Sequence, residues 1–387
     1  MKKAQGSPKI LHVATVPEFL PFLENQLSYF KYHGFDTHIL SSPGRQLDEF
    51  AEAEGITKHE IPMKREISLL KDLKSLWKFW ILLRKNRFDI VHVHTPKAGL
   101  LGMIAAFLAG VEVRIYHMHG LTYTTRTGMK KNILKWSEKL TCRLSTQTYA
   151  VSKSLREYAI EQNLISSEKI RTIQNGSING LDYEYRYKRS TYPIEEFYKD
   201  YHLSIDHFVI GFVGRLVRDK GVAELVEAFH KLKDRHKKVK LLVVGEMEDH
   251  HGLPEEVLQT IEEDPEIIYA GTVENAAPYY ALMDVLVFPT YREGFGMVAI
   301  EAMAMGTPVI ASEVLGCVDT VEDGKNGFLI PPRNVEAIVD KVEFYMNHED
   351  VRRQHGDYGR EVVCEKYEQS TIWGEMLGDY QTQMKKI

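Results

Sequence analysis

Short β-branched and aliphatic runs alternate with longer stretches in which apolar positions recur every three or four residues. This alternation marks repeated strand–helix–strand units and predicts parallel sheets covered by helices. In the first half, strands are expected at Ile10–Thr15, Asp36–Ser41, Asp89–Thr95, Val113–Met118, Thr148–Val151 and Ile170–Gln174, with helices such as Leu69–Lys85 and Lys130–Leu144 between them. The tract Asn179–Tyr201 is crowded with Tyr, Lys and Arg, has weak periodicity and contains Pro193, which predicts a linker and a surface helix. A second set of strands follows at Val209–Val213, Lys240–Val244, Ile267–Ala270, Val285–Pro289 and Pro308–Ala311, and Val351–Met384 reads as helix without a further strand. The predicted class is α/β, with two Rossmann-like doubly wound domains over 1–185 and 186–365 and a helical tail over 366–387.

Length agrees with that division, because 387 residues exceed one ordinary domain of about 150. Hydrophobic residues at 44% and charged residues at 27% suit a chain that buries a sizeable core. The net charge of -5 divides unequally: residues 1–185 hold 26 Lys and Arg against 18 Asp and Glu, and residues 186–387 hold 23 against 36. A basic first half attracts anionic head groups or diphosphates, whereas a nucleic-acid enzyme is expected to be basic along its whole cleft. Nucleic acid is therefore not expected as a partner.

Cys142, Cys317 and Cys364 are odd in number and widely spaced, which favours neither a disulfide framework nor a zinc site and fits a reducing cytoplasm. Met1–Pro8 is basic and polar, and the apolar stretch Ile10–Val16 is too short and too interrupted by His12 for an export signal. The longest nearly apolar run, Leu100–Val111, falls short of the roughly 20 residues of a membrane-crossing helix.

Chemistry concentrates in Val285–Ala311, which reads strand, loop, helix, strand. In an open parallel sheet, ligands sit beyond the carboxyl ends of strands, and a helix N-terminus there offers unpaired amides and a positive dipole end to a phosphate. Gly294 and Gly296 allow close backbone approach, so Phe295, Gly296 and Met297 are candidate amide donors to a diphosphate. Glu293 lies in the loop and Glu301 eight residues on, a little over two helical turns, so the two carboxylates can meet different parts of one ligand. Glu301 sits among the apolar residues Ala299, Ile300, Ala302 and Met303, which favours an inward role on ribose hydroxyls over a solvated glutamate.

A second segment, Gly211–Gly221, places Arg215 and Lys220 at another strand end, where two cations can neutralise a departing diphosphate. The chain has no D-x-D triplet to clamp a metal-bound sugar nucleotide, so metal-free chemistry is expected and no cofactor is assigned. The pairs His92/His94 and His117/His119 each share a strand face and can in principle ligate zinc, but without an accompanying acid or cysteine a structural or substrate-contacting role is favoured. G-x-S-x-G, H-E-x-x-H and Walker patterns are missing, which removes the main support for hydrolase and kinase readings.

These residues resemble retaining glycosyltransferase family four, in particular its capsule-biosynthesis branch. The likeness runs along nearly the whole chain through His92–Gly99, His119-Gly120, Gly214–Gly221, Arg292–Gly294, the Glu293/Glu301 pair and Asp323–Pro331. It implies the GT-B fold, two domains facing across a cleft, with a nucleotide-sugar donor, most often a UDP-sugar, held by the second domain. It also implies Arg215 and Lys220 on the diphosphate, Glu301 on the ribose, Glu293 and the amides of Gly294, Phe295, Gly296 and Met297 on sugar and phosphate, the Thr272–Val273 turn against the base, and His119 on the transferred sugar. Catalytic roles are thus expected for Glu293, His119, Arg215 and Lys220.

The resemblance implies front-face transfer with retention, an N-acetylhexosamine or related hexose as cargo, and a lipid-diphosphate-linked saccharide or other glycan as acceptor. It makes Pro17, Glu18, His94 and Lys97 candidate acceptor contacts. Val16-Pro-Glu-Phe19 departs from the Gly-rich turn that many relatives carry there. The last helix is expected to cross back to the first domain. Leu69–Lys85 combines Trp77 and Trp80 with four lysines and Arg84, which suits either peripheral contact with the inner membrane or a buried amphipathic helix with a solvated face. The rival readings are a nucleotide-sugar 2-epimerase and a non-catalytic nucleotide-sugar-binding protein.

Overall fold

The computed structural model describes residues 6–64, 68–247 and 252–386; most of the basic start Met1–Pro8 lies outside the described residues. The chain forms two compact units, Met1–Gly180 with Gln369–Ile387, and Leu181–Glu368.

The first unit holds strands β1 (Lys9–Val13), β2 (Asp36–Ser41), β3 (Thr57–Glu60), β4 (Ile90–Val93), β5 (Val113–Met118), β6 (Gln147–Ala150) and β7 (Ile170–Arg171) in the order β3-β2-β1-β4-β5-β6-β7, all parallel. Central strands in such a sheet are covered on both faces, so they read as nearly continuous apolar runs, as Ile10, Ile90, Val91 and Ile115 do at 0% exposure. The order reverses between β1 and β4, which opens a crevice beyond their carboxyl ends. The helix Gln369–Met384 packs Ile372, Trp373, Met376 and Tyr380 against Ile10, Ile90, Ile115 and Phe30 of this unit. Arg171 anchors it through Asp379 at 3.0 Å and through Glu375.

The second unit holds β8 (Phe208–Val213), β9 (Val239–Val244), β10 (Ile267–Gly271), β11 (Val285–Phe288), β12 (Val309–Ser312) and β13 (Gly327–Ile330) in the order β10-β9-β8-β11-β12-β13, again parallel. Its reversal falls between β8 and β11, the strands that precede the two segments richest in candidate chemistry. Helix Val222–Arg235 follows β8, and helix Met297–Ala304 connects β11 to β12.

Several expected boundaries differ. β3 was not anticipated because Thr57-Lys-His-Glu60 is a polar, largely exposed edge paired only with β2. β13 is a four-residue strand after a turn, too short to carry a period. Ile170–Gln174 shortens to two strand residues because the chain turns at Gln174, where φ is +50°. Asp89–Thr95 shortens to β4 because Thr95 adopts φ +62° and starts the helix Pro96–Ala109. The tract Asn179–Tyr201 contains the helix Ile194–Asp200 and, beside it, the buried Tyr187.

Candidate functional site

The best-equipped constellation lies in the second unit, at the β8/β11 reversal. The loop after β8 carries Arg215 and ends in the turn Arg218–Lys220, while the loop after β11 runs from Thr290 to Gly296. Backbone bonds stitch them together: Tyr291 N–H donates to Asp219 O at 2.8 Å, and Thr290 Oγ1 donates to the same oxygen at 3.1 Å. Arg292 Nη2 adds an ion pair to Asp219 Oδ2 at 3.4 Å.

This stitching requires close approach. Gly221 has φ +70°, and a Cβ built on it would sit 2.1 Å from Pro289 O, so only glycine lets helix Val222–Arg235 begin there. Gly296 has φ +82° and turns the chain from the loop after β11 into helix Met297–Ala304.

Lys220 and Glu293 meet within this frame. Lys220 Nζ lies 2.5 Å from Glu293 Oε2, with the side chains 20% and 21% exposed. Glu293 Oε1 accepts from its neighbour Gly294 N–H at 3.0 Å. Burial raises the Glu293 pKa, but Lys220, the Gly294 amide and Arg292 together hold it below its ordinary value. The Lys220 ammonium also stands 5.0 Å over the Phe288 ring. A cation and an anion are thus preorganised side by side at a strand end, where an incoming diphosphate can take the cation and a sugar hydroxyl the anion. Arg215 is exposed on the same loop.

Glu301 lies one helix further and is half-buried, while its neighbours Ala299, Ile300, Ala302 and Met303 are fully buried. Tyr280 Oη donates to its Oε2 at 2.6 Å, and Tyr187 supplies a second hydroxyl. Burial raises the Glu301 pKa against those two hydrogen bonds. The carboxylate accepts from two hydroxyls in this structure. Val273 is half-buried just after edge strand β10.

Sequence reasoning missed both tyrosines. Tyr187 lies in the tract read as a linker, and 114 residues separate it from Glu301; only that tract's aromatic density hinted at it.

In the first unit, the candidates gather at the β1/β4 reversal. Thr15 Oγ1 and Thr95 Oγ1 are 2.7 Å apart, and Ala98 N–H donates to Thr15 Oγ1 at 3.1 Å, which closes the loop onto the helix start. Pro17 is buried in the turn Pro17–Leu23, Glu18 is exposed, and Lys97 pairs with Asp72 at 2.7 Å. His119 Nε2 lies 3.0 Å from His94 Nδ1, and His94 Nε2 lies 3.1 Å from His12 Nδ1. His94 is fully buried and His119 is partly accessible at the end of β5. Burial first, then neighbouring imidazoles, holds these rings neutral: His12 falls to about 3, and His94 and His119 lie well below the ordinary histidine value.

Comparison with known proteins gives a consistent result. Residues 22–176 match the family described as "Glycosyl transferase 4-like domain", and residues 194–362 match "Glycosyl transferases group 1". The chain is 38% identical over 378 residues to the capsular polysaccharide biosynthesis glycosyltransferase CapM of Staphylococcus aureus, covering 98% of each. It is 26% identical to the Escherichia coli UDP-Gal:alpha-D-GlcNAc-diphosphoundecaprenol alpha-1,3-galactosyltransferase, covering 88% of this chain and 89% of that protein. Anabaena HepE, solved with UDP and glucose, superposes with a TM-score of 0.82 at 20% identity, covering 97% and 99% of the two chains.

Proposed function

The chain belongs to the group 1 glycosyltransferases, and on that premise we propose that it is a retaining hexosyltransferase of surface-polysaccharide assembly. The donor is a UDP-sugar carrying an N-acetylhexosamine or related hexose, and the acceptor is a lipid-diphosphate-linked saccharide or other glycan. The observation that carries this reading is the Lys220–Glu293 pair at the β8/β11 reversal, with Glu301 one helix away already receiving hydroxyl donors. The donor and acceptor types named for the Escherichia coli relative, and the UDP and glucose bound to HepE, support the same choice.

In this mechanism the diphosphate settles on the amides of Phe295, Gly296 and Met297 and on Arg215 and Lys220. Lys220 passes from Glu293 to the phosphate, which frees Glu293 for hydroxyls of the sugar. Glu301 takes the ribose hydroxyls, and Val273 packs beside the base. As the bond from the anomeric carbon to the phosphate oxygen breaks, the acceptor hydroxyl attacks from the same face and gives its proton to that leaving oxygen. The protein supplies position and fixed positive charge, the role a metal ion fills in other transferases, and forms no covalent intermediate. Neutral His119 offers one ring nitrogen to a hydroxyl of the migrating sugar.

Contact with an anionic membrane surface belongs to the same proposal. Helix Leu69–Asn86 buries Ser75, Phe79 and Leu83 and leaves Leu69, Leu73 and Trp77 exposed at 76%, 62% and 62%, a helical stripe flanked by Lys71, Lys74 and Lys78. Helix Gly128–Leu144 exposes Met129, Ile133 and Trp136, four and then three residues apart and so also on one helical face. Such stripes beside cations suit the boundary between head groups and acyl chains. No helix among the described residues is long and apolar enough to cross a membrane.

The test is transfer of label from a UDP-sugar to a lipid-diphosphate-linked acceptor, with the product's anomeric configuration read by NMR. Label in the lipid fraction with the donor's configuration is expected. An inverted product, or release of an epimerised free sugar, would refute the proposal.

A further inference from the structure

Five histidines occupy one face of the first unit's sheet. His12 on β1 and His92 on β4 are register partners, and His92 pairs in turn with Ile115 on β5. Side chains two residues apart on a strand share a face, so His94, His117 and His119 extend the same layer. His12, His92 and His94 are 0% exposed and His117 is 2% exposed. The rings pack on one another, with centroids 4.4 Å apart for His92 and His94 and 4.9 Å for His12 and His92. One turn of the pleat earlier, the same face carries Ile10, Ile90 and Ile115, so burial alone calls for aliphatic side chains here. The transfer chemistry has no use for His12, His92 or His117.

The hydrogen bonds within the layer leave nitrogens over. His12 Nε2, His92 Nε2, His117 Nδ1 and His119 Nδ1 have no partner although they are buried. A buried polar atom without a partner is rare enough to require a reason, and for a buried imidazole nitrogen such as His92 Nε2 a metal ion supplies one.

Two trios bring one nitrogen from each ring to within 4.8 Å of the others: His12, His92 and His94, and His94, His117 and His119. The first is the fully buried one. Its His12 Nδ1 and His94 Nε2 are 3.1 Å apart, close to the about 3.4 Å between neighbouring ligands of a tetrahedral ion with bonds of 2.0–2.1 Å. The third ring is oriented from behind: His92 Nδ1 lies 2.5 Å from Tyr380 Oη on the C-terminal helix, which leaves Nε2 as the ligating atom.

We propose that His12, His92 and His94 form a buried three-imidazole binding site for a divalent ion of the zinc class, with a fourth position left to a non-protein ligand. Three imidazoles without a carboxylate favour zinc, copper or nickel over magnesium or calcium. The ion ties the end of β1 to the end of β4. By taking His94 Nε2 it places the remaining proton on Nδ1, which donates to His119 Nε2 and leaves His119 with its proton on Nδ1. It is distinct from any ion on the diphosphate, since the residues proposed for that group belong to the second unit.

The experiment uses the full chain without a histidine tag, stripped with chelator and titrated with cobalt(II). One equivalent is expected to give the visible bands of four-coordinate cobalt, to be displaced by zinc, and to raise the melting temperature. His12→Phe, a volume-filling apolar change, is expected to lose that equivalent, and His117→Phe to keep it. No uptake by the wild type, the reverse pattern, or equal uptake by both variants, as scattered ligation among the chain's 16 histidines would give, overturns the site. If circular dichroism shows His12→Phe unfolded, X-ray absorption on the zinc-loaded wild type decides, because three imidazoles are expected and fewer, or any sulfur ligand, overturns it.

Discussion

Replacing Lys220 with methionine removes the cation of the pair and keeps most of its aliphatic volume. The Glu293 carboxylate then remains with side-chain exposure of only 21% and without the ammonium that lies 2.5 Å away. Breaking a fully buried pair costs about 3–5 kcal/mol. Both side chains retain about a fifth of their exposure, and the Gly294 amide and Arg292 still serve Glu293, so roughly 2–3 kcal/mol is expected here. The double variant Lys220→Met/Glu293→Gln leaves no uncompensated charge and is expected within about 1 kcal/mol of the wild type.

The pH dependence reverses sign between the two proteins. In the wild type, Glu293 is held below its ordinary value of 4.5, so the unfolded chain binds the proton more readily, and this contribution, complete well above 4.5, is lost as pH falls from 4.5 through the lower folded value. In Lys220→Met the burial that raises the group is less opposed. The native state then takes the proton first, and the variant recovers stability as pH falls toward 4.5. Activity is expected to fall by ~100-fold or more in the single and the double variant, because both lack the cation proposed to meet the leaving diphosphate. Urea unfolding from pH 4 to pH 8, with transfer rates at pH 7, measures all of this. An unchanged midpoint and a near-normal rate in Lys220→Met, or a rate restored by the second substitution, would refute the reasoning.

Three further outcomes follow from the same structure. Glu301→Ala is expected to lower the transfer rate by ~100-fold or more while the protein stays folded, and a folded variant with near-normal rates would remove Glu301 from the site. Gly221→Ala forces a Cβ against Pro289 O at a left-handed φ of +70°, costing about 2 kcal/mol or more and weakening donor binding, measured by denaturation and nucleotide titration; wild-type values would mean that the two loops need not approach so closely. Replacing Leu73, Trp77 and Trp136 with serine is expected to abolish flotation with vesicles containing anionic lipid while far-UV circular dichroism is unchanged, and undiminished flotation would reject those stripes as the docking face.

Much of the fold was legible because the central strands carry their burial in their composition. Phe208–Val213 and, within β9, residues 241–244 are apolar runs followed by glycine, and covered parallel strands demand little else. β3 escaped because an edge strand of Thr-Lys-His-Glu has no apolar face to advertise. In the second unit, Lys220 and Glu293 could be associated from sequence because each follows a strand by a few residues and the wound topology sets those strands side by side. Tyr187 and Tyr280 could not, because their meeting with Glu301 depends on tertiary packing that no local period encodes. His12 appeared only as an interruption of an apolar stretch, and its partnership with His94 spans 82 residues.

If the second unit grips a nucleotide diphosphate with Lys220 and Glu301, donor binding to the wild type and to the Lys220→Met and Glu301→Ala variants reveals it. A thermal-shift panel of UDP-, GDP- and ADP-sugars serves, since saturation at ~100 times the dissociation constant adds about 2.7 kcal/mol to the folded state. For units of this size that corresponds to roughly 5–10 °C. Such a rise is expected with a UDP-sugar for the wild type, and little or none for Lys220→Met and Glu301→Ala. An equal rise in all three proteins, or none with any nucleotide sugar, would contradict it.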